Sequence, residues 1–557
     1  MKIRSIFSAI FLIALLASCN QDFEQAELPC FDFQPNILWI TCEDMSPRLG
    51  CYEDPIARTP TIDKLASEGI RYTNAYSISG VCAPSRSALI TGMYPTTIGS
   101  MHMRTMTRTS AIDKITDPEL LAIPTYEAVP PPEVKCFTEY LRAMGYYCSN
   151  NSKEDYQFKR PITAWDESSQ KAHWKNRRPG QPFFSVFNFT VTHESQVWSR
   201  AGDTLITDPN KVVVPPYYPD SPIIRRDIAR HYDNIALMDA QVNDILSQLK
   251  ADGLEDSTII FFFSDHGDGL PRAKRWIYDS GIKVPLIIKY PGNWQAGNVT
   301  DELVSFVDFA PTVLSLAGIE VPDHLQGQAF AGSQRADPRD YIYAAKDRMD
   351  PAMDNRRAVR DKRYKYIRNY MPDRPYVQFL PYRDQMALMQ ELFRYEKEGK
   401  LDQVQALWFQ KTKPIEELYD TWEDPYEVNN LASDPRSHDI LERLRDVHLK
   451  WKEDTKDWGL IPETELIKEL WPPDGIQPGT ADPEFNIKED ADPGKLLVSL
   501  SCATPGSSIA YMLDDSEQWL LYSKPFEVST EVKVSAQAIR IGYKPSEIVI
   551  KDLLDRG

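Results

Sequence analysis

Residues 36–42 read Asn-Ile-Leu-Trp-Ile-Thr-Cys, a nearly unbroken apolar run. A strand with one wet face alternates apolar and polar positions, whereas a strand buried on both faces does not. Residues 182–189, 259–263 and 284–288 repeat the unbroken pattern, so each predicts a core strand. Between them the period changes. Across 226–250, Ile228, Tyr232, Ile235, Met238, Val242, Ile245 and Leu249 fall at steps of three and four, the stripe of an amphipathic helix. Thr59-Pro60-Thr61 reads as a helix start before Ile62, Leu65 and Ala66, with Gly69 beyond, and 308–317 reads as another helix. Strands alternating with helices predict an α/β fold with a mixed, mainly parallel sheet sandwiched by helices.

The pattern breaks near residue 340. Residues 341–345 and 363–368 read as strands and 383–411 and 437–457 as helices, separated by charge-rich stretches that read as polar surface. Residues 472–493 are rich in Pro, Gly and Asp, the composition of a linker. Short alternating segments follow at 496–501, 508–513 and 532–540, parted by turns such as Thr504-Pro505-Gly506. The expected organisation is a catalytic-size α/β domain over 34–338, a smaller α+β subdomain over 339–471, the linker, and a small β-sandwich over 494–557.

Composition narrows the class. The chain has 557 residues and a net charge of −18, without a long Lys/Arg cluster, which excludes a nucleic-acid partner. At the N-terminus, Lys2 and Arg4 precede a short apolar run and Leu16-Ala17-Ser18-Cys19. A charged start, a brief apolar core and small residues are the parts of an export signal, here 1–18, and twelve apolar residues are too few to span a bilayer. The quartet resembles a lipobox, which implies lipidation of Cys19 and an outer-membrane anchor at the cell surface or in the periplasm. Gln21-Asp22-Phe23-Glu24 resembles the surface-export signals of some Bacteroidetes lipoproteins. Of eight cysteines, Cys136 and Cys148, or Cys42 and Cys51, are near enough in sequence to pair, and buried free thiols fit equally.

Two acidic motifs stand at the carboxyl ends of predicted strands, where open α/β sheets place their sites: Glu43-Asp44 after the first strand, and Asp265-His266 in Ser264-Asp265-His266-Gly267. Between them lies Cys82-Ala83-Pro84-Ser85-Arg86-Ser87-Ala88-Leu89-Ile90-Thr91-Gly92. On its own this segment also suits a buried cysteine before a helix, and each acidic pair suits a turn or a cap.

Together they are decisive. The segment resembles the sulfatase signature, a Cys-x-Pro-Ser-Arg core followed by leucine and Thr-Gly. The chain is similar to formylglycine-dependent sulfatases of the alkaline phosphatase superfamily from about residue 36 to at least 426, including Glu417-Leu418-Tyr419-Asp420 and Asp424-Pro425. The phrasing of Ser264-Asp265-His266 and Pro271-Arg272-Ala273-Lys274 is nearest to the heparan N-sulfatase (sulfamidase) branch. Ser499-Leu500-Ser501-Cys502-Ala503-Thr504-Pro505-Gly506 resembles the C-terminal β-module of chitobiases and hexosaminidases, a packing or positioning unit.

The resemblance implies a sulfuric ester hydrolase acting on a sulfated poly- or oligosaccharide. It implies that a formylglycine-generating or anaerobic sulfatase-maturating enzyme converts Cys82 to formylglycine, whose hydrate attacks sulfur. Glu43, Asp44, residue 82, Asp265 and His266 are the implied ligands of one divalent ion; hard oxygen donors suit calcium or magnesium, and calcium is the ion expected. Glu43 departs from the family's more usual aspartate. Arg86 is expected to hold the hydrate, Lys274 to contact sulfate and His193 to protonate the leaving oxygen, a role suited to imidazole. Lys153 takes a family lysine position. Asp155 stands where the family has a histidine, as a base or a substrate contact. His102, Arg104, Asp347 and Arg348 lie on loops that suit glycan contacts. Alternatives remain within the fold: an N-sulfoglucosamine sulfamidase, or a phosphonate monoester or phosphodiester hydrolase. A non-catalytic glycan-binding surface lipoprotein is the alternative outside catalysis.

Overall fold

The computed structural model of the chain describes residues 33–107, 112–489, 494–514, 516 and 518–553. The export signal, Cys19 and Cys30 lie outside the described residues. Among those described, no helix is long and apolar enough to cross a membrane.

Eight strands form the main sheet: β1 (Asn36–Cys42), β2 (Ile70–Tyr76), β3 (Tyr147–Asn151), β4 (Glu167–Ser168), β5 (Phe183–Phe189), β6 (Thr258–Ser264), β7 (Lys283–Lys289) and β8 (Val299–Ser305). Their order is β4-β3-β5-β1-β6-β7-β2-β8. β1 pairs in parallel with β5 and β6, placing Cys42 opposite both Phe189 and Ser264. β7 runs against both its neighbours, β6 and β2, and β8 returns parallel to β2. The sheet is therefore mixed and mainly parallel, as expected.

Every residue of β1 is buried, which explains its unbroken apolar run. Leu38 and Ile40 pack into one apolar layer with the helix Pro222–Ala251, while Ile37 and Trp39 pack into the other. This is the two-residue alternation of a strand with two covered faces. Trp39 meets Phe184, Phe263 and Phe309 edge-on at 5.0, 5.3 and 5.7 Å. Such pairs add about 0.5–1.5 kcal/mol each beyond burial, so the strand that carries Glu43 and Asp44 is rigidly held.

The second subdomain is an antiparallel sheet in the order β12-β11-β10-β9, built from β9 (Ile342–Lys346), β10 (Arg356–Arg360), β11 (Tyr364–Asn369) and β12 (Glu416–Asp420). The helix His438–Asp454 covers it through Leu441 and Leu444, which pack with Val359, Tyr366 and Leu418. Here the structure corrects the expectation of a charged surface. Arg356 pairs with Glu417 at 2.6 Å, Arg357 with Asp457 at 2.6 Å, and Arg360 with Asp279 at 3.0 Å, all largely buried. Those charges bond to one another and to the first domain, so hydropathy misreads two strands as surface.

The C-terminal module has sheets β13-β14-β17 and β16-β15-β18-β19, from β13 (Glu484–Glu489), β14 (Lys495–Ser501), β15 (Ser508–Leu513), β16 (Leu520–Leu521), β17 (Phe526–Ser529), β18 (Lys533–Ile539) and β19 (Val549–Asp552). β13 falls inside the expected linker. Its alternation, Phe485 and Ile487 inward against polar neighbours, is hidden by the Pro/Gly/Asp composition around it. The module is docked. Arg540 Nη2 donates to Pro130 O at 2.8 Å, Lys135 Nζ to Gly506 O at 2.7 Å and Trp471 Nε1 to Gly542 O at 2.9 Å. Cys42, Cys51, Cys136 and Cys148 are free thiols, so neither suggested disulfide forms.

Candidate active site

Parallel strands end together, and their outgoing loops meet. Glu43-Asp44 leave β1, Lys153 follows β3, His193 follows β5 and Asp265-His266 leave β6. The loop after β2 leads into helix α1 (Cys82–Thr91), whose first residue is Cys82. All ten residues of α1 are buried, including Arg86 one turn on. A helix N-terminus favours a bound anion, because its first N–H groups have no intrahelical partner.

Tight packing fixes these loops. A Cβ on Gly80 or Gly281 would fall 2.2 Å from Trp276 O, so only glycine permits the approach at either place. Arg275 N donates to Gly80 O at 2.6 Å, tying the Lys274 segment to the approach to Cys82. Asp44 sits at φ +54°, a left-handed conformation that aspartate tolerates better than most residues. This turns its carboxylate back over the strand ends, where Glu194 N donates to Asp44 Oδ2 at 2.6 Å.

Around Cys82 the structure gathers three buried carboxylates and three cations. Cys82 Sγ lies 3.4 Å from His266 Nε2, and His266 Nε2 lies 3.0 Å from Asp44 Oδ1. Arg86 Nε donates to Asp265 Oδ2 at 3.1 Å, and Arg86 Nη1 donates to Asn188 Oδ1 at 2.7 Å. Lys153 Nζ is 2.7 Å from Glu43 Oε1. Lys274 Nζ donates to both oxygens of Asp44, at 2.8 and 2.6 Å. Burial opposes charge on Asp44, yet Lys274, His193 and His266 hold its carboxyl well below the usual range. Burial likewise opposes charge on Lys274, and Asp44 more than reverses it.

His193 Nδ1 lies 2.8 Å from Ser195 Oγ, and Nε2 faces Glu43 Oε2 at 3.8 Å. Burial, then Lys274, pushes the His193 pKa down.

The donor set fits a hard divalent cation. Ligand atoms of Glu43, Asp44, Cys82 and His193 lie within 4.8 Å of one another, as do those of Cys82, Asp265 and His266. Three carboxylates supply the hard oxygens that Ca²⁺ or Mg²⁺ requires, while the His193 and His266 nitrogens and the Cys82 sulfur are softer donors. Glu43, Asp44, Asp265 and His266 would hold the ion.

Five further candidates sit at the mouth or behind it. Arg104 keeps 44% of its side chain exposed, and its nearest carboxylates, Asp155 and Asp350, are 3.7 and 3.9 Å away, beyond hydrogen bonding. Arg104 and Asp155 thus remain open to a ligand. Asp347 and Arg348 are instead buried and paired within the protein. Asp347 is buried against Arg357 at 3.0 Å, and Arg348 spends its guanidinium on Glu463 at 2.6 and 2.7 Å and on Met103 O at 3.0 Å. They brace the loop. His102 is buried as well, with Nδ1 accepting from Arg348 N at 3.3 Å and Nε2 unpartnered.

Sequence reasoning missed Asn188, which bridges Arg86 and Asn150. It also missed Glu194, which Arg275 grips with two hydrogen bonds at 2.9 and 2.6 Å. Against the effect of burial, Arg275 and Lys274 lower the Glu194 pKa to about 2. Position alone was a signal: each adjoins a candidate, or ends a core strand with a polar residue.

Comparison with known proteins decides the family. Residues 35–319 match the sulfatase family model, and 272–403 match the model for the C-terminal region of N-sulphoglucosamine sulphohydrolase. An ulvan-active sulfatase of Formosa agariphila is 42% identical over 98% of this chain and 97% of its own. The chain belongs to the sulfatase family. This sulfatase is therefore a sulfuric ester hydrolase. Human N-sulphoglucosamine sulphohydrolase is 25% identical over 78% of this chain and 94% of its own. Among solved structures, one bound to D-glucosamine-2-N,6-O-disulfate shares the fold, with a TM-score of 0.53, 18% identity, and coverage of 77% of this chain and 99% of that one.

Proposed function

We propose that this sulfatase removes sulfate from a sulfated poly- or oligosaccharide, using Cys82 matured to formylglycine and one calcium ion. The observation that carries the reading is the position of Cys82: first residue of a buried helix, among three carboxylates and three cations that converge from four strand ends. The name of the ulvan-active relative supports the polysaccharide substrate. When present, the hydrated aldehyde at residue 82 supplies the oxygen nucleophile, and the ion lowers its pKa and screens sulfate oxygens.

The chain's own residues do the remaining work. Arg86 and Lys153 face the nucleophile with charges that do not titrate away near neutral pH. Lys274, beside Asp44, adds a third cation for the sulfate oxygens. As imidazolium, His193 gives its Nε2 proton to the departing sugar oxygen and keeps its Nδ1 proton hydrogen-bonded to Ser195 Oγ. Arg104 and Asp155 stand at the mouth for sugar substituents. Export and lipidation at Cys19 place the enzyme on an outer-membrane surface in this reading, facing polymeric substrate.

A second reading has its own support. The C-terminal family match and the human relative are both named for N-sulphoglucosamine, an N–S substrate. Sulfate release from matured protein with calcium separates the two. The panel holds ulvan oligosaccharides, O-sulfated glycosaminoglycan sugars, N-sulfoglucosamine, a phosphonate monoester and a phosphodiester. Release from an O-sulfated sugar, absent in Cys82→Ala, is expected. Release from N-sulfoglucosamine alone means a sulfamidase. Turnover of the phosphorus esters alone would overturn the sulfated-glycan substrate.

A further inference from the structure

Beside His193 the rim carries an aromatic pair that packing does not account for. Tyr382 is 40% exposed, and its ring stands edge-on to Trp198, centroids 5.3 Å apart. The same ring lies 6.2 Å from that of His193. Other tyrosines of this region are used up inside the protein: Tyr278, Tyr376 and Tyr419 each donate their hydroxyl to Glu417, at 3.0, 3.1 and 2.8 Å. The Tyr382 hydroxyl has no protein partner among the described residues.

Both rings are nonetheless firmly mounted. Trp198 belongs to the short helix Ser195–Ser199, which begins two residues after His193. Tyr382 precedes Arg383, whose buried guanidinium pairs with Asp384 at 2.6 Å and donates to Gln378 O at 2.9 Å. An exposed aromatic face on anchored backbone, with a free hydroxyl at its tip, is suited to a ring that is apolar on its faces and polar at its edge.

We propose that Tyr382, backed by Trp198, is a stacking subsite for the pyranose ring whose sulfated oxygen His193 serves. The inference rests on the glycan reading above and deepens it. A sugar whose leaving oxygen meets His193 Nε2 must extend beyond the charged cluster, and among the described residues Tyr382 is the aromatic ring that lies against His193. The C–H face of the sugar lies on the tyrosine ring, and a ring hydroxyl takes the phenolic group.

The test measures equilibrium binding of chemically desulfated ulvan oligosaccharides to the full matured chain, alongside kinetics on the sulfated ones. Tyr382→Leu keeps apolar contact with Trp198 and removes the aromatic face; Tyr382→Phe keeps the face. Leucine is expected to weaken binding and raise KM about tenfold, with the loss falling on KM rather than kcat. Phenylalanine is expected to retain most of the affinity. Wild-type binding and KM in Tyr382→Leu would overturn the subsite even while sulfate release upheld the glycan reading. Binding that depends on Tyr382, without sulfate release, would keep the subsite and sink the hydrolysis.

Discussion

Lys274 Nζ bridges both carboxylate oxygens of Asp44, at 2.8 and 2.6 Å, with neither side chain reaching solvent to any extent. The lysine expected to grip sulfate is thus also the counter-charge of a carboxylate suited to a metal ion. Taking one partner from such a pair strands the other, at a cost of about 3–5 kcal/mol. Lys274→Met is therefore expected to lower stability by that order and sulfate release by at least about a hundredfold. Calcium should raise the melting temperature of the variant more than that of the wild type, since a cation on Asp44 replaces the lost charge. Equal calcium shifts in both proteins would argue against Asp44 as a ligand.

Cys82→Ala removes the thiol that maturation would oxidise but keeps Cβ, and it empties little volume because the side chain is small. Sulfate release is expected to fall by at least about a thousandfold, with the melting temperature nearly unchanged. Mass spectrometry of the wild-type peptide spanning residue 82, after co-expression with a maturation enzyme, should show an aldehyde in place of the thiol. A persistent thiol in active protein would rule out formylglycine.

Burial pushes the pKa of His102 down to about 4 and that of His448 to about 4, with Arg357 adding to the effect at His448. Both folded values lie below the unfolded imidazole value of about 6.5. As pH falls, the unfolded chain takes up these protons first. The stability they contribute is complete above pH 6.5 and is lost as pH drops from about 6.5 to 4. Each shift is worth on the order of 3 kcal/mol at the acid end. Thermal melts across that window should fall, and His102→Gln or His448→Gln should flatten the slope. An unchanged slope in both variants would show that other groups control it.

The docked C-terminal module satisfies a backbone carbonyl of the first domain, Pro130 O, through Arg540. Truncation before β13 is expected to lower the melting temperature by several degrees while leaving kcat on a small sulfated sugar close to that of the full chain. A large fall in kcat would give the module a part in the site. Reducing agent should leave the melting temperature unmoved, since the described cysteines are free.

Much of the catalytic domain was legible because burial on both faces leaves a plain mark. β1, β5 and β6 appear in the sequence as apolar runs within a residue of their observed bounds. The antiparallel direction of β7 was not legible, since an apolar run carries no direction. The subdomain strands β10 and β12 were hidden for the opposite reason: Arg356, Arg357, Arg360 and Glu417 are buried charges, and only their partners reveal that.

The sequence by itself determined the chemistry. It placed a Cys-x-Pro-Ser-Arg helix start between two acidic strand ends, and such ends meet in a parallel sheet whatever the details. Tertiary structure alone decided which polar residues stay free of protein partners. Arg104 and Arg348 look alike in sequence, yet one stays open at the mouth and the other is spent on Glu463. The same holds for Tyr382, an unremarked aromatic residue until folding sets it beside His193, almost two hundred positions earlier. A side chain's type fixes what it can bind, but its partners fix whether it is free to bind, and those partners are distant in the chain.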